Sequence, residues 1–441
     1  MFINGLICFY NVENLSKKIK LATESLKHRA KRGFICCKDF QFEPLSSFNF
    51  DTNQALILSL WEDFSKDELA SYIGRDFCKL NLKALIDDSL SSSNLEEFSL
   101  KLKGVRAHYS FAYADDRGLI FGRDNLGVKP LYFSKRGKEI TIATERKVLE
   151  SLGYNEINHV KPNTLYLTNN GSSFLLREIE TFEENKFKGN FEEAKEELKK
   201  NLNSCVKNFS YENLTLGFSG GIDSLLLAKI FSEHQSLTLS SLCFKGSEEE
   251  SWIDRASEKL NLEIKKYYLN EDLVKENLPL VKGLVEKSKP MDLAIGLGFY
   301  LLSKFSSREG LDKIVLGQLA DEMFGGYRRY LVSYLKGFDV KTSMLKDVLD
   351  SHETTFSRED KACSPFSLVV FPYANFDIFK FAFSLPLEFK FDKEKKVRKL
   401  LLRELAKEIG IESSLVEREK KAFQYSTKLE NMVKRFLANI A

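Results

Sequence analysis

The stretch "LGFSGGIDSLLLAKI", which begins at residue 216, combines glycine and serine at the junction of two apolar runs. Glycine permits tight turning and close backbone approach, while serine hydroxyls and the amides that open a helix donate hydrogen bonds to an anion. The stretch lacks both the Gly-Lys-Ser/Thr ending of the common nucleoside triphosphate loop and the Gly-x-Gly-x-x-Gly pattern of dinucleotide sites. We therefore predict a different phosphate-binding loop, formed by Gly217, Ser219, Gly220, Gly221 and Ser224.

An acidic residue inside this loop indicates that its phosphate ligand binds together with a metal ion. A carboxylate that faces bound phosphates is repulsive unless a divalent cation lies between them, so Asp223 implies magnesium. A second stretch, "IVLGQLADEMFGGYRRY", ends a buried strand at Gly317 and presents Asp321 and Glu322 at the next turn. Two such edges could bracket a nucleotide and its metal. On the first stretch alone, a Gly-Gly strand-to-helix turn without a ligand stays open as an alternative.

The elements around these stretches must bring them to one edge of a sheet. From residue 191 onwards, strand-like and helix-like segments alternate, which predicts a parallel sheet with crossover helices and ligands at the carboxyl ends of the strands. Up to about residue 178, three hairpin patterns predict a largely antiparallel region. The polar segment 179–190 is typical of a linker. We therefore expect two domains, residues 1–178 and 191–441.

Composition restricts the class of protein. The 441 residues include 66 basic and 63 acidic ones, and this net charge of +3 gives no general attraction to nucleic acid or membranes. Apolar runs stay below the roughly 18 residues of a spanning helix, and the first residues lack signal-peptide features, so a cytoplasmic protein is expected. Cys36 and Cys37 are adjacent, unlike metal ligands, and favour buried or free thiols.

Several segments together resemble a known family. "SGGIDS" is similar to the pyrophosphate loop of the ATP pyrophosphatase families, and "ADEMFGGYRRY" resembles a segment of their asparagine synthetase branch. "KLLLRELA" and "VEREKKAFQYST" resemble later segments of that branch, and "FGRDNLGVKPLYFS" and "ATERKVLESL" resemble its glutaminase-like domain. The resemblance implies an α+β N-terminal-nucleophile-type sandwich of the class II amidotransferase type, followed by an α/β parallel-sheet ATP pyrophosphatase domain.

The resemblance also implies a reaction. ATP would place its β- and γ-phosphates in the loop 219–224, and a carboxylate, by default aspartate, would attack the α-phosphorus to give an acyl adenylate and pyrophosphate. Ammonia would then displace AMP. Asp223 and Asp321 would hold magnesium, and Lys420 would neutralise phosphate charge in the transition state, with Arg418 as a weaker candidate. A solvated charge in "EREKK" is the alternative for Lys420.

The N-terminal segment departs from the family. Glutaminase domains of this type use a cysteine at position 2, whose thiol attacks glutamine, and Phe2 stands there instead. Cys8 lies in the strand-like run "GLICFY" and is typical of core. "SSFNFDTNQALI" takes the place of the segment that usually holds glutamine. We expect no glutamine hydrolysis by this domain, and ammonia that is free or comes from a partner glutaminase.

The acceptor half of the predicted site also departs from the family. Members carry an acidic residue directly after the glycine that ends the strand, and Gln318 stands at this catalytic position. An amide cannot act as a base or hold an ammonium ion by charge. Asp292 and Ala294 replace the hydroxyl and arginine side chains of aspartate-binding members. Leu368 and Val370 lie near an expected glutamate and arginine.

The nucleotide-binding half of the predicted site agrees with the family pattern, whereas the acceptor-binding half differs from it. Three interpretations follow. The first is an ammonia-using ligase of the asparagine synthetase type. The second is a related ligase for another acid or amine, similar to the β-lactam-forming relatives, and the third is a non-catalytic nucleotide-binding partner protein. Expected ligands are ATP, magnesium and a small carboxylate, a homodimer is among the expected assemblies, and neither a membrane nor nucleic acid is favoured as a partner.

Overall fold

The computed structural model describes residues 7–10, 15–29, 35–38, 41–44, 60–63, 95–103, 106–115, 118–168, 171–183, 185–207, 213–418 and 429–438. The chain divides into two compact units, Met1–Phe182 and Glu183–Ala441. This division falls inside the predicted linker 179–190.

The described part of the first unit is built from antiparallel strands. Its strands are β1 (Ile7–Tyr10), β2 (Ile35–Lys38), β3 (Gln41–Pro44), β4 (Leu60–Asp63), β5 (Ala107–Asp115), β6 (Gly118–Arg123), β7 (Tyr132–Arg136), β8 (Glu139–Ala143), β9 (Asn158–His159), β10 (Thr164–Thr168) and β11 (Leu175–Glu178). Its helices are α1 (Leu15–Leu26), α2 (Leu95–Leu102) and α3 (Arg146–Ser151).

Two sheets form the core of this unit. One has the order β1-β8-β7-β9 and the other β11-β10-β6-β5-β4, with antiparallel pairing throughout. The three predicted hairpins are confirmed as β5–β6, β7–β8 and β10–β11. One hydrophobic cluster joins Cys8 and Ile142 of the first sheet to Phe121 and Tyr166 of the second. Alternating apolar residues on the facing strands produce this shared core.

The second unit alternates strands and helices. Its strands are β12 (Leu214–Gly217), β13 (Thr238–Cys243), β14 (Ile264–Tyr268), β15 (Lys313–Val315), β16 (Leu368–Val370), β17 (Phe391–Asp392) and β18 (Val397–Arg398). Its described helices are α4 (Phe191–Lys207), α5 (Ile222–Ser232), α6 (Glu248–Leu260), α7 (Glu271–Val285), α8 (Pro290–Arg308), α9 (Ala320–Phe324), α10 (Arg328–Leu335), α11 (Val340–Ser351), α12 (Ser357–Cys363), α13 (Phe376–Ser384), α14 (Leu400–Glu408), α15 (Ser413–Val416) and α16 (Leu429–Ala438).

A parallel sheet organises this unit, as the alternation predicts. Its order is β14-β13-β12-β15-β16, and every pair runs parallel. Strands β12 and β15 are neighbours, so the two sequence stretches that follow them start from the same edge. Helix α5 is buried on nearly all sides, in keeping with its run "LLLAKIF". In the part of the chain that the structure describes, no helix is long and apolar enough to span a membrane.

Candidate active site

The predicted phosphate loop joins β12 to α5. Its backbone is held by its own serines, because Ser224 Oγ donates to the carbonyl of Gly221 at 3.0 Å and Ser219 Oγ accepts from the amide of Gly221 at 3.3 Å. Gly221 is the N-cap of α5 and offers no side chain to the amides of the first turn. Those amides and the positive end of the helix dipole are therefore suited to an anion.

Gly220 is required by the packing of the loop. Its φ of +63° lies in the left-handed region, and a Cβ there would stand 2.6 Å from Trp252 Nε1. Trp252 Nε1 donates to the carbonyl of Gly220 at 3.0 Å, and the guanidinium of Arg418 lies 4.4 Å from the centre of the Trp252 ring. The late segment thus reaches the loop at Arg418. Lys420 lies outside the described residues.

The two predicted metal ligands converge on a lysine that the sequence analysis did not select. Lys399 Nζ lies 2.5 Å and 2.6 Å from the two carboxylate oxygens of Asp223 and 2.7 Å from Asp321 Oδ1. Asp223 comes from the first turn of α5 and Asp321 from α9, each just beyond the carboxyl end of its strand. Neighbouring parallel strands therefore deliver two carboxylates to a single cation.

Gly326 makes this convergence sterically feasible. A Cβ at Gly326 would overlap Asp321 Oδ1 and Lys399 Cε, and the amide of Gly326 donates to the carbonyl of Asp321 at 2.8 Å. A Cβ at Gly317 would make only an ordinary contact of 3.4 Å with Asp223 Cβ. Gly326 is therefore the glycine that leaves room for the acid–lysine cluster.

The electrostatics of the cluster favour cations. Burial lowers the pKa of Lys399 below its ordinary value, although the carboxylate of Asp223 opposes this shift. Two part-buried carboxylates at one point require positive charge, and carboxylate oxygens are the donors that magnesium prefers. Asp223 and Asp321 therefore fit a magnesium site chemically, with Lys399 as the protein's own counter-charge. The assignment of metal and phosphate ligands stays a prediction.

Gln318 points away from this cluster. Its amide Nε2 donates to Glu359 Oε1 at 2.7 Å, and the same oxygen accepts from Arg358 Nη2 at 2.8 Å. Arg358 Nη1 also donates to Asp292 Oδ1 at 2.7 Å. Ala294 is fully buried in α8 and supplies no polar group. Helix α12 therefore supplies charged groups to the altered acceptor positions.

Sequence reasoning missed three residues that complete this arrangement. Lys399 opens the quoted segment "KLLLRELA", so a signal was present, but its left-handed φ of +56° and its partners are not readable from the sequence. Trp252 and Glu359 lie in ordinary amphipathic or polar helical segments and carry no motif. Only the fold brings them to Gly220 and Gln318.

The first unit uses its family-like segments for structure. Asp124 in "FGRDNLGVKPLYFS" accepts backbone amides from Tyr109, Leu126, Val128 and Lys129 at 2.9 to 3.3 Å. Such bonds shape a buried turn rather than a reaction centre.

The predicted core role of Cys8 is confirmed. It is fully buried, and burial raises the pKa of its thiol to about 12, which suppresses the nucleophilic thiolate. Phe2, Cys36 and Cys37 have no described side chains, and the segment 46–57 lies outside the described residues.

Two known family profiles match parts of this chain. Residues 197–339 and 335–441 match the sequence profile of the family Asparagine synthase, which accounts for more than half of the chain. The chain belongs to the asparagine synthase family. Residues 82–151 also match the profile of a glutamine amidotransferase domain. This member of the asparagine synthase family is accordingly an enzyme of the ATP-dependent ligase class, as the sequence resemblance predicts.

Relatives of this asparagine synthase family member share its sequence at a moderate level. A protein of Methanocaldococcus jannaschii, provisionally named asparagine synthetase (glutamine-hydrolyzing) 1, is 27% identical over 386 residues, which cover 76% of this chain and 71% of that protein. Asparagine synthetase (glutamine-hydrolyzing) 1 of Bacillus subtilis is 28% identical over 292 residues, 58% of this chain and 44% of the relative. The chain thus spans less than half of the Bacillus protein.

Solved structures give a weaker similarity. One reported as the structure of the allosteric regulatory enzyme of purine biosynthesis matches 59% of this chain and 80% of its own, with 11% identity and a TM-score of 0.32. A score of this size is too low to define a shared architecture.

Proposed function

We propose that this protein activates a carboxylate, by default aspartate, as an acyl adenylate and transfers ammonia to it. The observation that carries the proposal is the meeting of Asp223 and Asp321 at Lys399, beside a helix N-terminus that suits phosphate. Two carboxylates with one lysine form a cluster that would hold magnesium beside the pyrophosphate leaving group, and neutralising that group is the main electrostatic demand of adenylation. The second unit would be an ATP pyrophosphatase domain, and the first an N-terminal-nucleophile-type sandwich.

The residues of the chain divide the work of adenylation. Ser219, Gly220, Gly221 and Ser224 would bind the phosphates, with Gly317 allowing close approach from the next strand. Magnesium, when bound to Asp223 and Asp321, would supply further neutralisation of the phosphate oxygens. Lys420 would act on the transition-state charge. Arg418, two residues earlier in the chain, stacks on Trp252 beside the loop, which supports this role.

The nitrogen donor is proposed to be ammonia. Cys8, the cysteine of strand β1, is buried and its thiol pKa is raised, so it is unsuited to attack glutamine. Residues 82–151 match the profile of a glutamine amidotransferase domain. A partner glutaminase is therefore the second proposed source of ammonia in the cell.

The test is pyrophosphate release by the purified protein with ATP, magnesium and aspartate, with and without ammonium or glutamine. We expect release that needs aspartate and ammonium and gains nothing from glutamine. Asp223→Ala should abolish it, whereas Asp272→Ala, at an exposed aspartate on α7, should leave it within twofold. Release stimulated by glutamine would contradict the proposed nitrogen donor.

Two other outcomes of the same assay identify the alternatives. If no pyrophosphate is released with aspartate but release occurs with another acid, the protein is a ligase with a different acceptor, similar to the β-lactam-forming relatives. If no acid supports pyrophosphate release and the protein still binds ATP, it is a non-catalytic nucleotide-binding partner protein.

A further inference from the structure

A polar cavity of about 450 Å³ lies where helix α7 ends, helix α8 begins and the π-helical turn His352–Phe356 passes. Binding sites for small molecules have volumes of this order. Besides two hydroxyl residues, the cavity is lined by three lysines and two acids, namely Lys282, Lys287, Lys289, Glu286 and Asp292. A ligand of this cavity must therefore be recognised by charge and hydrogen bonding.

Both acids of the lining are already neutralised by cations of helix α12. Asp292 Oδ1 accepts a hydrogen bond from Arg358 Nη1 at 2.7 Å, and Glu286 forms an ion pair with Lys361. Arg358 is 7% exposed and Lys361 is 1% exposed. A buried cation is costly unless it is paired, so these two pairs are a fixed part of the cavity wall. Neither acid is left to bind a cation.

The backbone beside the cavity is also held in place. Glu286 is the C-cap of α7 and has a left-handed φ of +52°, which is costly for any residue except glycine. Its ion pair with Lys361 helps to hold that conformation. Helix α8 then begins at Pro290, and its N-cap Lys289 makes no side-chain cap. The positive end of the helix dipole therefore stays available beside the cavity.

The charge balance of the cavity is positive. The three lysines of the lining have no ion-pair partner among the residues that the structure describes. Together with Arg358 and Lys361 they make five cations against two acids, an excess of three positive charges. If the buried Glu359 and Asp360 were both ionised, the excess would still be one. Burial raises the pKa of Glu359, which favours its neutral form. The cavity therefore favours an anion.

We propose that this cavity is a second ligand site, which binds a small anion with two or more negative charges and is separate from the nucleotide site. This inference goes beyond the proposed ligase function. The separation follows from the side chains between the two places, because Gln318 contacts Glu359, Glu359 contacts Arg358 and Arg358 contacts Asp292 at 2.7, 2.8 and 2.7 Å. Glu359 and Arg358 are buried and fill this path. Phosphate esters and polycarboxylates share the required chemistry.

Isothermal titration calorimetry of the full chain tests the site. The probes are propane-1,2,3-tricarboxylate and glycerol 2-phosphate, with acetate as a singly charged reference. Saturating α,β-methylene ATP and magnesium occupy the phosphate loop throughout. We expect one-to-one saturable binding of at least one of the two multivalent probes and an affinity for acetate at least about tenfold weaker, because several ammonium groups act on one ligand. Absence of saturable binding by both multivalent probes would overturn the proposal.

Charge variants locate the bound anion. The double variant Lys287→Gln with Lys289→Gln should weaken binding by about tenfold or more, since each lysine offers a charge-assisted hydrogen bond. Lys275→Gln, at an exposed lysine of α7 outside the lining, is the matched control and should stay within about twofold. Circular dichroism checks that the variants are folded. Equal losses in the double variant and the control would mean a general charge effect and would overturn the site.

The same titrations separate the two sources of the anion and test the separation from the acceptor. Tighter binding of glycerol 2-phosphate supports a phosphate ester as the ligand, and tighter binding of the tricarboxylate supports a polycarboxylate. Saturating aspartate should leave the affinity for the tighter probe unchanged. Competition by aspartate would place the acceptor itself in the cavity and overturn a second site. Because binding is measured without turnover, a protein that releases no pyrophosphate is tested equally well.

Discussion

The ammonium nitrogen of Lys399 lies 2.5 Å and 2.6 Å from the carboxylate oxygens of Asp223, a residue 176 positions earlier in the chain. Asp321 adds a third contact from the neighbouring strand edge. The positive charge at the centre of the candidate site therefore comes from the protein itself. This arrangement makes the stability of the second unit dependent on the same groups as its proposed chemistry.

Replacement of Lys399 should expose that dependence. In Lys399→Gln the two carboxylates lose their shared counter-charge, and we expect a loss of about 3–5 kcal/mol in the free energy of unfolding without metal. Millimolar magnesium should restore part of it, because the carboxylates then gain a divalent cation. Urea denaturation in EDTA and in magnesium measures both effects. Lys395→Gln, at an exposed site, is the control, and equal losses in the two variants would contradict the assignment.

Gly326 should tolerate no side chain. A Cβ there overlaps Asp321 and Lys399, so Gly326→Ala should lower stability by about 1–3 kcal/mol and reduce pyrophosphate release at least tenfold. Thermal denaturation and the pyrophosphate assay report the two effects. Gly283→Ala is the matched control, because Gly283 lies in helix α7 with open space around its Cβ position. Unchanged activity of Gly326→Ala would show that the cluster is not needed.

Trp252 should report on nucleotide binding. Only two tryptophans are present, and a Trp61→Phe variant leaves Trp252 as the single emitter. Trp252 donates a hydrogen bond to the carbonyl of Gly220 in the phosphate loop, and the guanidinium of Arg418 stacks on its ring. Binding of ATP with magnesium to that loop should therefore change the fluorescence of Trp252. The same titration with Asp223→Ala added should give a smaller change or a weaker affinity. A saturable signal of equal affinity in both proteins would place the nucleotide elsewhere.

Lys390 should make stability depend on alkaline pH. Burial lowers the pKa of this lysine to about 7, against about 10.4 in an unfolded chain. Between these values the unfolded chain binds more protons, so the free energy of unfolding should rise with pH, by roughly 1.4 kcal/mol per unit of pKa difference. In Lys390→Met that rise should disappear. Urea denaturation from pH 7 to 9.5 tests this, with Lys395→Met as the exposed control.

Glu145 should be a stability residue of the first unit. It is fully buried against Arg29, His28 and Lys147, whose charges outweigh burial and hold the pKa of its carboxyl well below the ordinary value. Its contribution is therefore present above the ordinary carboxyl pKa and lost as pH falls through the lowered one.

The variant that tests this is Glu145→Gln, which should cost about 3–5 kcal/mol near neutral pH. Glu150→Gln removes an exposed ion pair on α3, the helix for which Glu145 is the N-cap residue, and should cost under about 1 kcal/mol. Chemical denaturation of both variants decides the point, and similar small losses would mean that the buried pairs contribute little.

Local patterns predicted a large part of the fold. The hairpins β5–β6, β7–β8 and β10–β11 were readable because alternation and turn residues act over a few positions. The alternation of strands and helices after residue 191 likewise predicted the parallel sheet. Helix α5 begins at Ile222, directly after the loop glycines, with Gly221 as its N-cap.

The sequence by itself determined the strand–loop–helix unit around Asp223, the second acidic turn at Asp321, and the loss of an acid at Gln318. These depend on residue type and short spacing, which the chain carries locally. Only the tertiary structure decided that Lys399 joins the two aspartates and that Glu359 holds Gln318. Contacts between distant segments follow from how helices pack on a sheet, and spacing along the chain does not encode that packing.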